Sequence, residues 1–157
     1  MGDLNYRIFN IDNLASIIIE EMIENNFDKN TLKKYYENYD ELYLQMKKEN
    51  IYSFQEGINN EGPMFQPTCK LSKTRNKNCQ ETDNPDYKPT TDCWKIGNQS
   101  QRIPSWCDRI LYKKTNQYDP RDLYCIEYDV FDYNETMTKS DHKAVYGIYE
   151  LVNKQKF

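Results

Sequence analysis

The stretch Arg102-Ile103-Pro104-Ser105-Trp106-Cys107-Asp108-Arg109-Ile110-Leu111 decides how the rest of the chain reads. Its second half opens a strand-like run from Cys107 to Tyr112. Leu123 to Val130 gives a second run, and Ala144 to Val152 a third. In the third, Val145, Gly147, Tyr149 and Leu151 alternate against Ala144, Tyr146 and Ile148, the period-2 pattern of a strand.

Toward the N-terminus the pattern changes. Asp3 to Phe9 reads as a strand leading into a turn. Asp12 is placed to cap a helix whose apolar positions Leu14, Ile17, Ile18, Met22 and Ile23 recur at helical spacing. After the break at Asn25-Asn26, a second helix is expected from near Thr31, with the stripe Leu32, Tyr35, Tyr36, Tyr39, Leu42, Tyr43 and Met46 facing the core. From Ser72 to Gln101 the chain turns to Asn, Lys, Thr, Asp and Pro with little apolar periodicity, which reads as a surface insertion loop (residues 72–101). Helices first and strands afterwards indicate an α/β domain whose strand ends and loops present polar groups. No internal repeat is visible.

Composition narrows the function classes. Net charge is −4, from 21 Lys+Arg against 25 Asp+Glu, so no basic face for nucleic acid is expected. An anionic small substrate stays open, because a few local cations and a metal can hold phosphates inside an acidic protein. No apolar run approaches the ~20 residues of a membrane span, and the N-terminus does not resemble a signal peptide. The cysteines, Cys69, Cys79, Cys93, Cys107 and Cys125, form no CxxC pair and no even framework, so free thiols in a reducing compartment are expected. Glycosylation-type triplets at Asn98 and Asn134 carry no meaning in that compartment. The expected location is cytoplasmic.

Chemistry-bearing residues gather in four clusters, each beside an expected strand: Gly2 to Arg7, Glu61 to Lys70, Arg102 to Leu111, and Ser140 to Lys143. His142 is the only histidine. It follows Asp141 at a loop-to-strand junction, and Asp108 offers a carboxylate that could orient it. An Asp–His pair stabilises imidazolium, which suits a phosphoryl-transfer site. Asp3 and Asn5 alternate with Leu4, so both are expected on one side of a strand end. An Asp can align or deprotonate water, and an Asn amide can donate to a phosphate oxygen without adding repulsive charge. Each tetrapeptide alone would also suit an ordinary turn.

Taken in order, GDLNYRI, EGPxFxPTxK, RxPSWCDRIL and SDHKxV closely resemble the C-terminal motifs of the inositol-polyphosphate 5-phosphatases, within the endonuclease/exonuclease/phosphatase superfamily. The resemblance runs from Gly2 to about Leu151, interrupted by the 72–101 insertion, and PTxK and PSWCDRIL are the blocks specific to that branch. It implies residues 1–157 as the C-terminal half of a four-layered α/β sandwich, mainly antiparallel sheet with flanking helices. It implies hydrolysis of the 5-phosphate of inositol polyphosphates or phosphoinositides by magnesium-assisted attack of water. By position, Asp3 matches the aspartate that handles the attacking water and Asn5 the asparagine on the scissile phosphate. His142 matches the histidine that stabilises the transition state, oriented by Asp108, and Asp141 a residue at the Mg2+ site. Lys70 and Arg102 match cations that hold the neighbouring 4-phosphate. Trp106 and Pro104 are assigned to loop architecture, while Arg7 and Arg109 stay open between ion pair and substrate contact.

Two departures weaken the expected grip on the 4-phosphate: Cys69 replaces a tyrosine, and Ser100 replaces a frequent lysine. The family's N-terminal half, which supplies a magnesium-ligating glutamate, has no counterpart here and is expected in cis or in trans. The partners implied are an inositol polyphosphate or phosphoinositide headgroup, with peripheral membrane contact and no nucleic acid. The alternative is a non-catalytic remnant or headgroup-binding module that keeps Lys70 and Arg102.

Overall fold

The computed structural model describes residues 1–9, 15–48, 53–72, 90–95, 103–114, 118–131 and 140–154. In chain order these form β1 (Gly2–Asp3), α1 (Ala15–Glu24), α2 (Lys29–Tyr39), α3 (Glu41–Lys47), β2 (Phe54–Glu56), β3 (Asp108–Arg109), β4 (Leu111–Lys113), β5 (Arg121–Val130) and β6 (Val145–Asn153). Among the described residues β1 pairs with β3, β2 with β4 and β5 with β6, all antiparallel. The fold is therefore mixed α/β with antiparallel strands and helices beside them, as the element order suggests.

Several local expectations shift. In α1 the buried face is Ala15, Ile18, Ile19 and Met22, while Ile17 is exposed. Asp12 and Leu14 lie outside the described residues. The single tyrosine-striped helix is two helices. Asp28 caps α2, accepting from the backbone N–H groups of Asn30 and Thr31. Asp40 then ends α2 and caps α3, its side chain accepting from Tyr43 N. The strand-like run 107–112 is broken at Ile110 into β3 and β4, and β2 was not anticipated. Of the insertion, residues 73–89 and 96–101 lie outside the described residues.

The core forms where the helices meet the loops before β3. Trp106 is fully buried, donates from Nε1 to the Phe65 carbonyl at 2.7 Å, and meets Tyr36 edge-on at 6.4 Å. The backbone at Gly62 turns with φ +83°, and a Cβ there would sit 2.2 Å from Tyr36 Cζ, so only glycine fits at the head of the EGPMFQPTCK segment. Beneath β3 lies Arg109, with no solvent exposure. It binds both carboxylate oxygens of Glu56 at 2.5 Å, Asp40 at 2.9 and 3.3 Å, and the Trp106 carbonyl at 3.0 Å. Tyr128 and Tyr36 hydroxyls complete Glu56 at 2.9 and 3.2 Å. A buried guanidinium is tolerated only when its donors are filled in this way. Burial alone would lower its pKa, but the charges of Glu56 and Asp40 outweigh that and hold it well above the usual value.

Cys69 and Cys107 are joined by a disulfide, Cys93 is disulfide-bonded as well, and among the described cysteines Cys125 is free. The expectation of free thiols is thus corrected. Chain spacing gave no sign of the 69–107 link because it follows from tertiary pairing: Cys69 and Ser105 exchange backbone hydrogen bonds at 3.1 and 2.8 Å. Among the described residues no helix is long and apolar enough to cross a membrane.

Candidate active site

The site is assembled by backbone pairing around the Thr68–Leu71 segment. On one side, Cys69 bridges Ser105; on the other it bridges His142. Lys143 N donates to the Thr68 carbonyl at 2.8 Å, and Leu71 N to the Asp141 carbonyl at 2.8 Å. Thr68 Oγ1 accepts from Asp108 N at 3.3 Å, tying the same segment to β3. The PTCK and SDHK clusters and the strand carrying Asp108 are thereby laced into one surface.

Across β1 and β3, Asp3 stands directly opposite Asp108, and Leu4 N extends the pairing to the Cys107 carbonyl at 2.8 Å. Opposite residues of an antiparallel pair share a face, so two carboxylates lie side by side, which is unfavourable without a positive partner. His142 meets one of them: its Nδ1 is 2.8 Å from Asp108 Oδ2. Ligand-capable atoms of Asp3, Asp108 and His142 all lie within 4.8 Å of one another. Asp3 is exposed, and Asp108 and His142 are partly buried.

Asn5 reaches this surface by a route the alternation did not anticipate. The strand stops at Asp3, and Asn5 takes a left-handed φ of +57°, a conformation asparagine tolerates better than most residues. Its backbone N–H donates to Asp3 Oδ1 at 2.9 Å, closing an Asx turn. Its side-chain Oδ1 accepts from Arg7 Nη2 at 2.6 Å. Arg7, left open by the sequence, is therefore Asn5's partner. Arg109, equally open, is a buried ion-pair residue on the opposite face of β3 from Asp108.

Lys70 and Asp141 face each other, Nζ to Oδ2 at 2.6 Å, both about a quarter exposed. The Lys70 hydrogen bond holds the Asp141 carboxyl below the usual aspartate value. Arg102 and Ser100 lie outside the described residues. The donor set of Asp3, Asp108 and His142 offers carboxylate oxygens, the kind a small divalent cation takes, and one imidazole nitrogen, and Asp141 stands outside that group. The ammonium on Asp141 occupies that carboxylate with a positive charge that a metal ion would have to displace.

Residues not anticipated in the site's support are Asp40, Glu56, Thr68 and Ser105. Ser105 Oγ accepts from Ile8 N at 3.0 Å and donates to the Ile103 carbonyl at 2.7 Å. A signal existed for Thr68 and Ser105, which stand inside PTxK and PSWCDRIL. For Asp40 and Glu56 there was none, because nothing along the chain ties either to position 109.

A family profile described as Endonuclease/Exonuclease/phosphatase family 2 matches residues 1–148. Phosphatidylinositol 3,4,5-trisphosphate 5-phosphatase 1 of Xenopus laevis is 28% identical over 152 residues, covering 96% of this chain and 12% of that protein. Type II inositol 1,4,5-trisphosphate 5-phosphatase of Mus musculus is 25% identical over 153 residues, with coverage of 96% and 12%. Type I inositol polyphosphate 5-phosphatase 13 of Arabidopsis thaliana is 28% identical over 155 residues, with coverage of 92% and 11%. The chain thus spans about an eighth of the length of the relatives it matches.

Proposed function

We propose, from the premise that this chain belongs to endonuclease/exonuclease/phosphatase family 2, that it carries half of the active site of a phosphatase removing the 5-phosphate from inositol polyphosphates or phosphoinositides. The observation that carries this reading is the Asp3–Asp108–His142 cluster, with the imidazole held at 2.8 Å by Asp108. With Asp108 accepting from Nδ1–H, Nε2–H of the imidazolium form is the donor left to meet a phosphoryl oxygen. The exposed carboxylate of Asp3 aligns a water and takes its proton as the water oxygen bonds to phosphorus and the bond from phosphorus to the inositol 5-oxygen breaks, the leaving oxygen taking up a proton from solvent. Asn5 donates from its amide to a non-bridging oxygen.

Lys70 and Arg102 hold the neighbouring 4-phosphate, Lys70 by leaving Asp141. Asp141, then free, is the residue assigned to magnesium. When bound, the ion supplies charge neutralisation on the phosphate and a lowered pKa for water. The remaining metal ligands come from an N-terminal half, in cis or in trans, that completes a four-layered sandwich. In support, β5 and β6 leave Ile126, Ile148, Leu151 and Val152 exposed.

The test is phosphate release from inositol 1,4,5-trisphosphate with magnesium, using this chain combined with an N-terminal half taken from a relative. Release that disappears in His142→Ala supports the reading, and no release in the combined protein defeats it. The alternative, a headgroup-binding module, is favoured by the Lys70–Asp141 pair, which neutralises Asp141 without a metal. It predicts inositol 1,4,5-trisphosphate binding that is indifferent to magnesium and to His142→Ala.

A further inference from the structure

We propose that Arg7 is a positioning residue for the Asn5 amide, turning its donors toward the phosphate. This rests on the reading above that Asn5 meets that phosphate. A guanidinium carries donors and no acceptor, so the Asn5 atom 2.6 Å from Arg7 Nη2 is the carbonyl oxygen and not the nitrogen. That contact decides which way the amide faces. Nδ2 and its hydrogens then point away from Arg7, and among the described residues they meet no acceptor, on a side chain that is exposed.

Both ends of Asn5 are fixed by different partners. Its backbone N–H is held by Asp3 Oδ1 at 2.9 Å, and its side-chain oxygen by Arg7. Arg7 is half-buried and is itself anchored, Nη1 lying 3.8 Å from Cys69 Sγ, next to Lys70. One guanidinium therefore joins the GDLN turn to the PTCK segment. Without it, the amide could rotate about χ2 and present its oxygen to the phosphate, where two acceptors repel. The Asp3 contact does not prevent that rotation, because it holds the backbone only.

The experiment uses the isotope-labelled chain, inorganic phosphate as probe, and the variants Arg7→Met, Arg7→Lys, Asn5→Ala and Asn5→Ala/Arg7→Met. In the wild type the Asn5 side-chain NH2 signals shift on phosphate addition. In Arg7→Met that shift is largely lost and affinity falls about tenfold, the size of one hydrogen bond to a charged acceptor. The Asn5 backbone N–H signal, held by Asp3, stays in place in all Asn5-containing variants. Arg7→Lys restores part of the response, since an ammonium also donates to Oδ1. In the Asn5→Ala background Arg7→Met has little further effect, because the pair acts as a unit.

An undiminished Asn5 NH2 response in Arg7→Met overturns the proposal. So does an equal loss from Arg7→Met with and without Asn5, which would make Arg7 a phosphate ligand in its own right. A wild-type chain whose Asn5 NH2 signals ignore phosphate while its Lys70 signals respond defeats the assignment of Asn5 to the phosphate, and the positioning role with it.

Discussion

The Asp108–Arg109 strand and the β5–β6 ribbon show two ways in which a strand can be held. Around Arg109 the holding is polar and saturated: Glu56, Asp40, the Trp106 carbonyl and two tyrosine hydroxyls fill a buried region. The ribbon is longer and is held along one face only. Cys125, Tyr128 and Val130 turn inward, while Tyr124, Ile126, Ile148 and Leu151 remain exposed. Its register also slips by one residue between Cys125 and Glu127, a bulge that leaves Ile126 without a partner opposite. The short strand is fixed by what lies beneath it, the long one mainly by its neighbour.

Replacement of Arg109 by Met should give the largest effect. It leaves two buried carboxylates without a cation, at a cost of about 3–5 kcal/mol, read as a large fall in the urea unfolding midpoint. A loss below about 1 kcal/mol would mean that the carboxylates find water or protons readily, and the contrast between the two regions would fail. Tyr128→Phe touches both regions, since its hydroxyl donates to Glu56 and accepts from Ile110 N at 3.1 Å. About 1–2 kcal/mol should be lost, because the Ile110 N–H and Glu56 each lose a partner. Ile148→Thr, on the open face, should change stability by no more than about 0.5 kcal/mol. A loss of several times that would show that the outer face is packed.

A smaller effect tests the helices. Lys34 and Tyr35 hydrogen bonds hold the Glu21 carboxyl below its usual value, linking α1 to α2. A lowered folded-state pKa stabilises above the unfolded-state value, about 4.5, and that contribution is lost as pH falls through the lowered one. Glu21→Gln should therefore be less stable than the wild type at pH 7, with the gap closing in acid. A gap that persists unchanged to low pH would assign the difference to packing.

Element types and the four clusters were legible because they depend on local periodicity and on motifs of contiguous residues. β5 and β6 fall within two residues of the runs read from alternation. What was not legible depends on contacts distant along the chain. The helix break at Asp40 is hidden in an unbroken tyrosine stripe, because an aspartate there reads equally well as an exposed polar position. Only Arg109, 69 residues away, makes it a buried one. Ile17 and Ile19 exchanged roles because an isoleucine-rich turn does not itself say which residue faces the core. At the site, the approach of Asp108 to His142 followed the sequence reading, but Asn5 arrived through a left-handed turn where strand alternation was expected.

A strand of only two residues also constrains evolution. Asp108 and Arg109 are neighbours on one short rod, one side chain turned to the partly open site and the other locked among charges. Drift deep in the interior, at Glu56 or Asp40, would tilt that rod and swing the carboxylate at its far end. Interior positions that would elsewhere trade freely among residues of similar bulk are here under the same selection as the chemistry above them.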